Sequence, residues 1–223
     1  TIDHFLDRLA ITTEPIIAAQ GAIVTYRDGT VLRRMTIDRA LIREGAAIGR
    51  RHGAAIAYFT DHELIMDRPA LDPEQDAAWM GANLRYESDP LAHLDDDLIK
   101  IIAYHPDPQA VPDLLADMRA HLGKRADVTR SHRWFVEVCA PGADKGSALA
   151  RLCETLGIDR ADVLAIGDGG NDVSMLRWAG MSAAPASGDP DAIAAAQWTA
   201  PPIEEHPVVA TLAHFLGWGW DVD

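Results

Sequence analysis

The sequence predicts an α/β protein made of two parts, a doubly wound parallel sheet and a separate α+β unit. Three observations carry this reading. From Lys145 onward, short apolar runs alternate strictly with amphipathic segments, the rhythm of parallel strands joined by helices. Between residues 22 and 138, hairpin signals and helices mix without that alternation. Pro and Gly then punctuate the elements, with Pro73 and Pro190 at helix starts and Gly123, Gly157 and Gly180 at helix ends.

Taken in order, Ile2, Phe5, Leu6 and Leu9 recur at helical spacing. The apolar run Pro15–Ala19, closed by Gln20 and Gly21, suits a buried strand. Residues 23–26 and 31–35 are strand-like, and Arg27-Asp28-Gly29-Thr30 lies between them. An Asp-Gly pair in that setting predicts a hairpin with a type I′ turn. A helix is expected over 39–52. Strands over 55–59 and 63–66 follow, turned by Asp61-His62. Asp72 is a candidate N-cap for a helix reaching Asn83, with Pro73 at its first position. A strand over 98–103, a helix over 110–122 and a strand over 134–138 complete the α+β unit. The second part reads as helix 147–156, strand 163–166, helix 172–179, strand 181–184, helix 189–196, strand 198–199 and helix 208–216.

Hydrophobic residues make up 48% of the 223, enough for a sizeable core. The net charge of −14 disfavours nucleic acid and anionic lipid as general partners, so any phosphorylated ligand needs a local cation. Cys139 and Cys153 have no metal-type spacing and suit reduced thiols of an intracellular, cytoplasmic protein. No apolar run approaches the ~18 residues of a membrane span, and no signal peptide is visible.

The sharpest chemical signal is Gly167-Asp168-Gly169-Gly170-Asn171-Asp172, just after the carboxyl end of a predicted parallel strand. Ligands of open α/β sheets bind at that edge. Two carboxylates four positions apart with glycines between them can converge on Mg²⁺, and Asn171 can hold a phosphate oxygen. A glycine-rich strand-to-helix turn with Asp172 as N-cap fits the same residues. The second signal is Asp144-Lys145-Gly146-Ser147 at a helix start, where Lys145 can supply the needed cation.

The pair of signals resembles a known family. "KGSALARLCETLGI", then "VLAIGDGGNDVSML", then "AG", looks like the C-terminal half of a Cof-type phosphatase of the haloacid dehalogenase superfamily. "IIAAQGAIV" resembles that family's crossing from core sheet into cap, with Gln20 where Asn is usual. The resemblance implies a Rossmann-like core over 1–21 and 139–223, incomplete at its N-terminus, and an inserted α+β cap over 22–138. It implies Mg²⁺-dependent hydrolysis of a phosphate monoester of a small, sugar-phosphate-like metabolite through an aspartyl-phosphate. Lys145 would hold phosphate and nucleophile as a catalytic residue, and Asn171 would touch the phosphate. Asp168 would bind the metal, and Asp172 would support or share that site.

The chain departs from the family at its first two motifs. D-x-D-G-T is expected upstream of Thr1, and so is the Ser or Thr of the second motif. "YRDGT" carries Tyr26 where the first Asp would stand, and it reads as a hairpin. The expectation is therefore that an N-terminal segment of the natural protein precedes these residues. Without it, the strands near Ile17 and Ile166 would lack a shared neighbour. Two other readings remain open: a phosphate-ligand binding or regulatory protein without the nucleophile, and a phosphotransferase or mutase. Asp95-Asp96-Asp97 reads as a solvated turn, His132 as a surface residue, and Trp218 and Trp220 as a tail folding back on its own domain. Substrate identity and oligomeric state are not encoded in any motif.

Overall fold

A computed structural model describes residues 7–8, 12–60, 63–81, 84–92, 94 and 98–218. The chain forms two compact units, Thr1–Ala143 and Asp144–Asp223. Among the described residues, no helix is long and apolar enough to cross a membrane.

The first unit opens with a small antiparallel sheet of β1 (Ile16–Ala18), β2 (Ile23–Thr25) and β3 (Val31–Arg34). β1 is half-buried rather than buried, and among the described residues it is an edge strand paired with β2. The hairpin predicted around Asp28-Gly29 is present, but its turn is not type I′. Type I′ needs positive φ at both central residues, and only Gly29 has it, at 91°. The Gly29 amide donates to the Tyr26 carbonyl at 3.1 Å, and the Tyr26 amide to the Thr30 carbonyl at 2.8 Å. This is a longer loop in which glycine takes the left-handed position after the turn.

A six-stranded sheet follows, in the order β6-β5-β4-β7-β9-β8. Its strands are β4 (Ala55–Phe59), β5 (Leu64–Met66), β6 (Leu84–Tyr86), β7 (Lys100–Tyr104), β8 (Asp127–His132) and β9 (Phe135–Cys139). All neighbours are antiparallel except β5 and β6. Two elements, β6 and β8, have no counterpart in the sequence reading. α1 (Arg39–Arg51) is capped by Asp38, whose side chain accepts from the Ala40 and Leu41 amides. Its buried residues Leu41, Ile42, Gly45, Ala46, Ile48 and Gly49 recur at helical spacing. With α3 (Val111–Leu122), it covers one sheet face through Ile56, Tyr58, Ile101, Val136 and Val138. The alternate residues Ala55, Ala57, Ile102, Tyr104 and Phe135 form a second cluster on the other face, as the two-residue period of a strand requires. α2 (Pro73–Met80) contributes Met80 to that cluster. It is capped by Asp72 as expected, and it ends before Asn83.

His132 is not a surface residue. It sits half-buried with Trp79, Trp134 and Phe135 at ring-centroid distances of 4.7, 5.2 and 5.2 Å. The helix near Leu9, the Asp61-His62 turn, Asp95–Asp97 and Trp220 lie wholly or largely outside the described residues. Trp218 is exposed.

The second unit contains a parallel sheet in the order β10 (Leu164–Ile166), β11 (Met181–Pro185) and β12 (Trp198–Ala200). Its helices are α4 (Lys145–Leu156), α5 (Val173–Trp178), α6 (Pro190–Ala195) and α7 (Pro207–Leu216). A small core of Ala165, Leu176, Ala179, Ala184 and Ala192 joins sheet to helices. The alternation read from Lys145 onward is present element by element, and β10 is an edge strand of this sheet.

Candidate active site

The site forms at the carboxyl end of β10, where the chain leaves the sheet for α5. Residues 167–169 make a loop, and Gly170–Asp172 makes one 3₁₀ turn before the helix begins. Asp172 is only 3% exposed. It does not cap α5 by reaching forward, because its side chain turns back. Its Oδ2 accepts the backbone amides of Asp168 at 3.0 Å and Gly169 at 2.9 Å, while its own amide donates to the Gly169 carbonyl at 2.9 Å. The carboxylate thereby holds the whole loop as a closed unit.

The other oxygen, Oδ1, accepts from the ammonium of Lys145. Lys145 opens α4, and three contacts fix where it stands. The Asp144 side chain caps the helix by accepting the Ser147 amide at 2.9 Å. Burial alone would raise the Asp144 carboxyl, but hydrogen bonds from Ser147 and Ser174 outweigh it and hold it below its ordinary value. The Gly146 amide donates to Ser174 Oγ at 3.0 Å, tying α4 to α5. A Cβ at Gly146 would lie 2.5 Å from the Ser174 carbonyl carbon and oxygen, so only glycine permits this approach. The same holds at Gly167, where a Cβ would meet Asp172 and Met175 at 2.5 to 2.7 Å.

Asp168 is exposed, and its side chain makes no hydrogen bond or ion pair among the described residues. Its backbone is fixed from two sides. Besides the Asp172 bond, its carbonyl accepts the Asp189 amide at 2.8 Å, from the loop that follows β11. Asn171 is half-buried on the same turn, with its Oδ1 beside Gly169. All four residues singled out from sequence thus belong to one constellation. Lys145 and Asp172 touch, Asp168 is joined through its amide, and Asn171 lies in between. Asp144 and Gly146 belong to the quoted motif without a role of their own, and Ser174 was not identified. Asp144 had a legible signal as an acidic N-cap three residues before Ser147, whereas Ser174 had none.

The donor set fits a hard, partly hydrated cation in one respect and limits it in another. Asp168 offers two carboxylate oxygens with no protein partner, as Mg²⁺ prefers. Asp172 has both oxygens engaged, so it acts on such a site through the loop and through Lys145. Among the described residues no group of three or more His, Cys, Asp or Glu side chains could hold a metal. Cys139 and Cys153 are both buried and both thiols are raised by burial, so neither is a nucleophile here.

The chain is similar to known proteins. The family profile of the haloacid dehalogenase-like hydrolases matches residues 1–212. The HMP-PP phosphatase of Cronobacter sakazakii is 35% identical over 129 residues, 57% of this chain and 46% of that protein. The 5-amino-6-(5-phospho-D-ribitylamino)uracil phosphatase YwtE of Bacillus subtilis is 27% identical over 206 residues, 80% of this chain and 69% of that protein. The solved structure of a haloacid dehalogenase-like hydrolase from B. subtilis superposes with a TM-score of 0.79 at 21% identity, covering 96% of this chain and 83% of that one. The chain spans between 32% and 46% of the length of the first three curated relatives it matches.

Proposed function

The chain belongs to the haloacid dehalogenase-like hydrolases, and on that premise we propose that it carries phosphate- and metal-binding residues of a Mg²⁺-dependent phosphatase acting on a small phosphorylated metabolite. One observation carries the reading. Lys145 is held by Asp172, and the same carboxylate holds the amides of Asp168 and Gly169, so the cation at the start of α4 is tied to the loop that carries the Asp168 carboxylate. In this reading residues 1–21 and 139–223 are the core, and 22–138 are the cap that selects the substrate.

Lys145 neutralises a phosphate oxygen and would hold the nucleophilic carboxylate of the family's D-x-D-G-T motif, which these 223 residues do not contain. Asn171 orients a second phosphate oxygen. Asp168 is the residue that would hold Mg²⁺, which when bound withdraws charge from the phosphoryl group. Asp172 keeps Lys145 in place and fixes the loop so that little reorganisation is needed as charge develops. The phosphoryl group passes first to the aspartate and then to water, in two in-line displacements. Small phosphate esters are the expected substrates because the relatives named above include phosphatases of HMP-PP and of a phosphoribitylaminouracil.

The test is phosphate release from a panel of small monoesters by the protein with its natural upstream sequence. Mg²⁺-dependent turnover, lost by roughly 10²-fold or more in Lys145→Ala and Asp168→Asn, is the expected result. Turnover unchanged in both variants would overturn the assignment. Phosphate appearing on an added alcohol rather than in water would favour the phosphotransferase reading.

A further inference from the structure

A cleft of about 310 Å³ lies wholly within the first unit, beside α1. It is lined by Arg43 and Arg50 of α1 and by Asp89, Leu91 and Ala92 of the segment after β6. The two arginines are two helical turns apart and share a face, separated by about 10.5 Å of axial rise. They are held differently. Arg50 is braced from behind, with Nε donating to Asp67 Oδ2 at 2.7 Å and Nη2 to the Tyr58 hydroxyl at 2.9 Å. Asp67 is buried and also accepts the Ile56 amide at 2.9 Å, so its charge is committed. Those bonds leave Nη1 of Arg50 available. Arg43 is exposed, and its side chain has no hydrogen bond or ion pair among the described residues.

The opposite wall is also preset. Arg39 donates to the Leu94 carbonyl at 2.7 Å and to the Leu91 carbonyl, which fixes this segment against α1. Leu91 is 8% exposed and gives the cleft an apolar side. The Asp89 side chain, like that of Arg43, has no hydrogen bond or ion pair among the described residues. Positive and negative groups therefore border one cleft without neutralising each other.

We propose that this cleft binds a small aliphatic α-amino acid, with its carboxylate on Arg43 and Nη1 of Arg50, its ammonium on Asp89, and its side chain along Leu91 and Ala92. A simple anion would leave Asp89 without a partner, and a polyphosphate would be repelled by it. A ligand carrying both charges satisfies both walls, and the volume lies at the small end of small-molecule sites. Planar guanidinium groups also match carboxylate geometry. No bond is made or broken, and the binding is independent of the phosphatase reading.

The experiment uses the 223-residue chain. Each proteinogenic α-amino acid, at about 10 mM, is screened for a rise in the thermal midpoint, and hits are followed by calorimetric titration. The expected result is dose-dependent stabilisation by one or more small aliphatic amino acids and none by their N-acetyl or amide derivatives. Arg43→Ala and Asp89→Asn, both exposed, are each expected to weaken binding about 10-fold or more. Amide shifts in the unmutated protein are expected at 43, 50, 89, 91 and 92, which keeps the test valid if a variant misfolds. The proposal is overturned if no amino acid binds, if the N-acetyl form or inorganic phosphate binds equally well, or if the shifts fall elsewhere.

Discussion

Lys145 and Asp172, 27 residues apart in sequence, form an ion pair in which the lysine side chain is 31% exposed and the aspartate 4%. The asymmetry separates their roles. On the function proposed above, Asp172 would hold the site together, and Lys145, with part of its surface exposed, would meet the ligand. Lys145→Ala should therefore lower stability only modestly, by roughly 1 kcal/mol, since the pair is partly solvated and Asp172 retains two backbone donors. The phosphatase activity proposed above should fall far more, by about 10²-fold or greater. Urea titration and phosphate release, measured on one preparation, compare the two losses. A large stability loss with activity intact would reverse the roles assigned here.

Gly146→Ala tests the contact that positions the lysine. The added Cβ would lie 2.5 Å from backbone atoms of Ser174, which cannot move as a side-chain tip could. Overpacking of this kind costs roughly 1–3 kcal/mol. The expected result is a lower urea midpoint with an unchanged slope. A neutral result would mean that α4 and α5 slide apart freely, so their contact would not set the site.

Glu137 gives the first unit an acid limb. It is 3% exposed, accepts from Lys100 Nζ at 2.5 Å and from Gln20 Nε2 at 2.9 Å, and also bonds Ser131. Burial alone would raise its carboxyl, but the Lys100 charge and these hydrogen bonds outweigh burial and hold it below its ordinary value. A carboxyl lowered on folding contributes stability above its unfolded value of about 4.3, and that stability is lost as pH falls through the folded value. Stability measured from pH 7 down to about 2 should therefore decline less steeply below about pH 4.3 in Glu137→Gln, which is expected to be weaker at pH 7 because Lys100 is left without its counter-charge. Parallel pH profiles of the two proteins would refute this account.

The thiols offer a test of burial that needs no mutation. Cys139 is buried, and burial, with a smaller push from Glu137, raises its thiol to about 12. Iodoacetamide at pH 8 should leave Cys139 unmodified in the native protein and label it in urea. Mass mapping after digestion reads the result. Rapid native labelling at Cys139 would show that the sheet opens locally at β9.

The parts of the protein most legible in sequence are those written locally. The glycine and aspartate spacing around Asp168 and the helix start at Lys145 are legible as a candidate site because each is a short local motif, although each also fits a plain turn or helix start. Asp172 shows where local reading stops. An aspartate before a helix suggests an N-cap, yet its oxygens bind amides behind it and a lysine 27 residues away. β8 was missed because Asp127–His132 is a polar edge strand, with Val128 its sole aliphatic residue, and only pairing with β9 defines it. β6 is three residues long, too short for a period to show. His132 looked like a surface residue because its neighbour Trp79 comes from another element, 53 positions earlier in the numbering. The Lys100–Glu137–Gln20 cluster was hidden for the same reason, since each member alone reads as a solvated polar residue.

The approach of Gly146 to Ser174 also bears on where the chain can be altered. Helix against helix, not the length of the connecting chain, sets the spacing of Lys145 from Asp172. The connection after α4 is exposed around Ile158 and Asp159, just beyond the Gly157 turn that ends the helix. Extra residues there would lengthen only a surface crossing. A peptide tag or a fluorescent reporter spliced between Ile158 and Asp159 should leave the two helices seated as they are, which makes that bond a handle for following the protein without touching its chemistry.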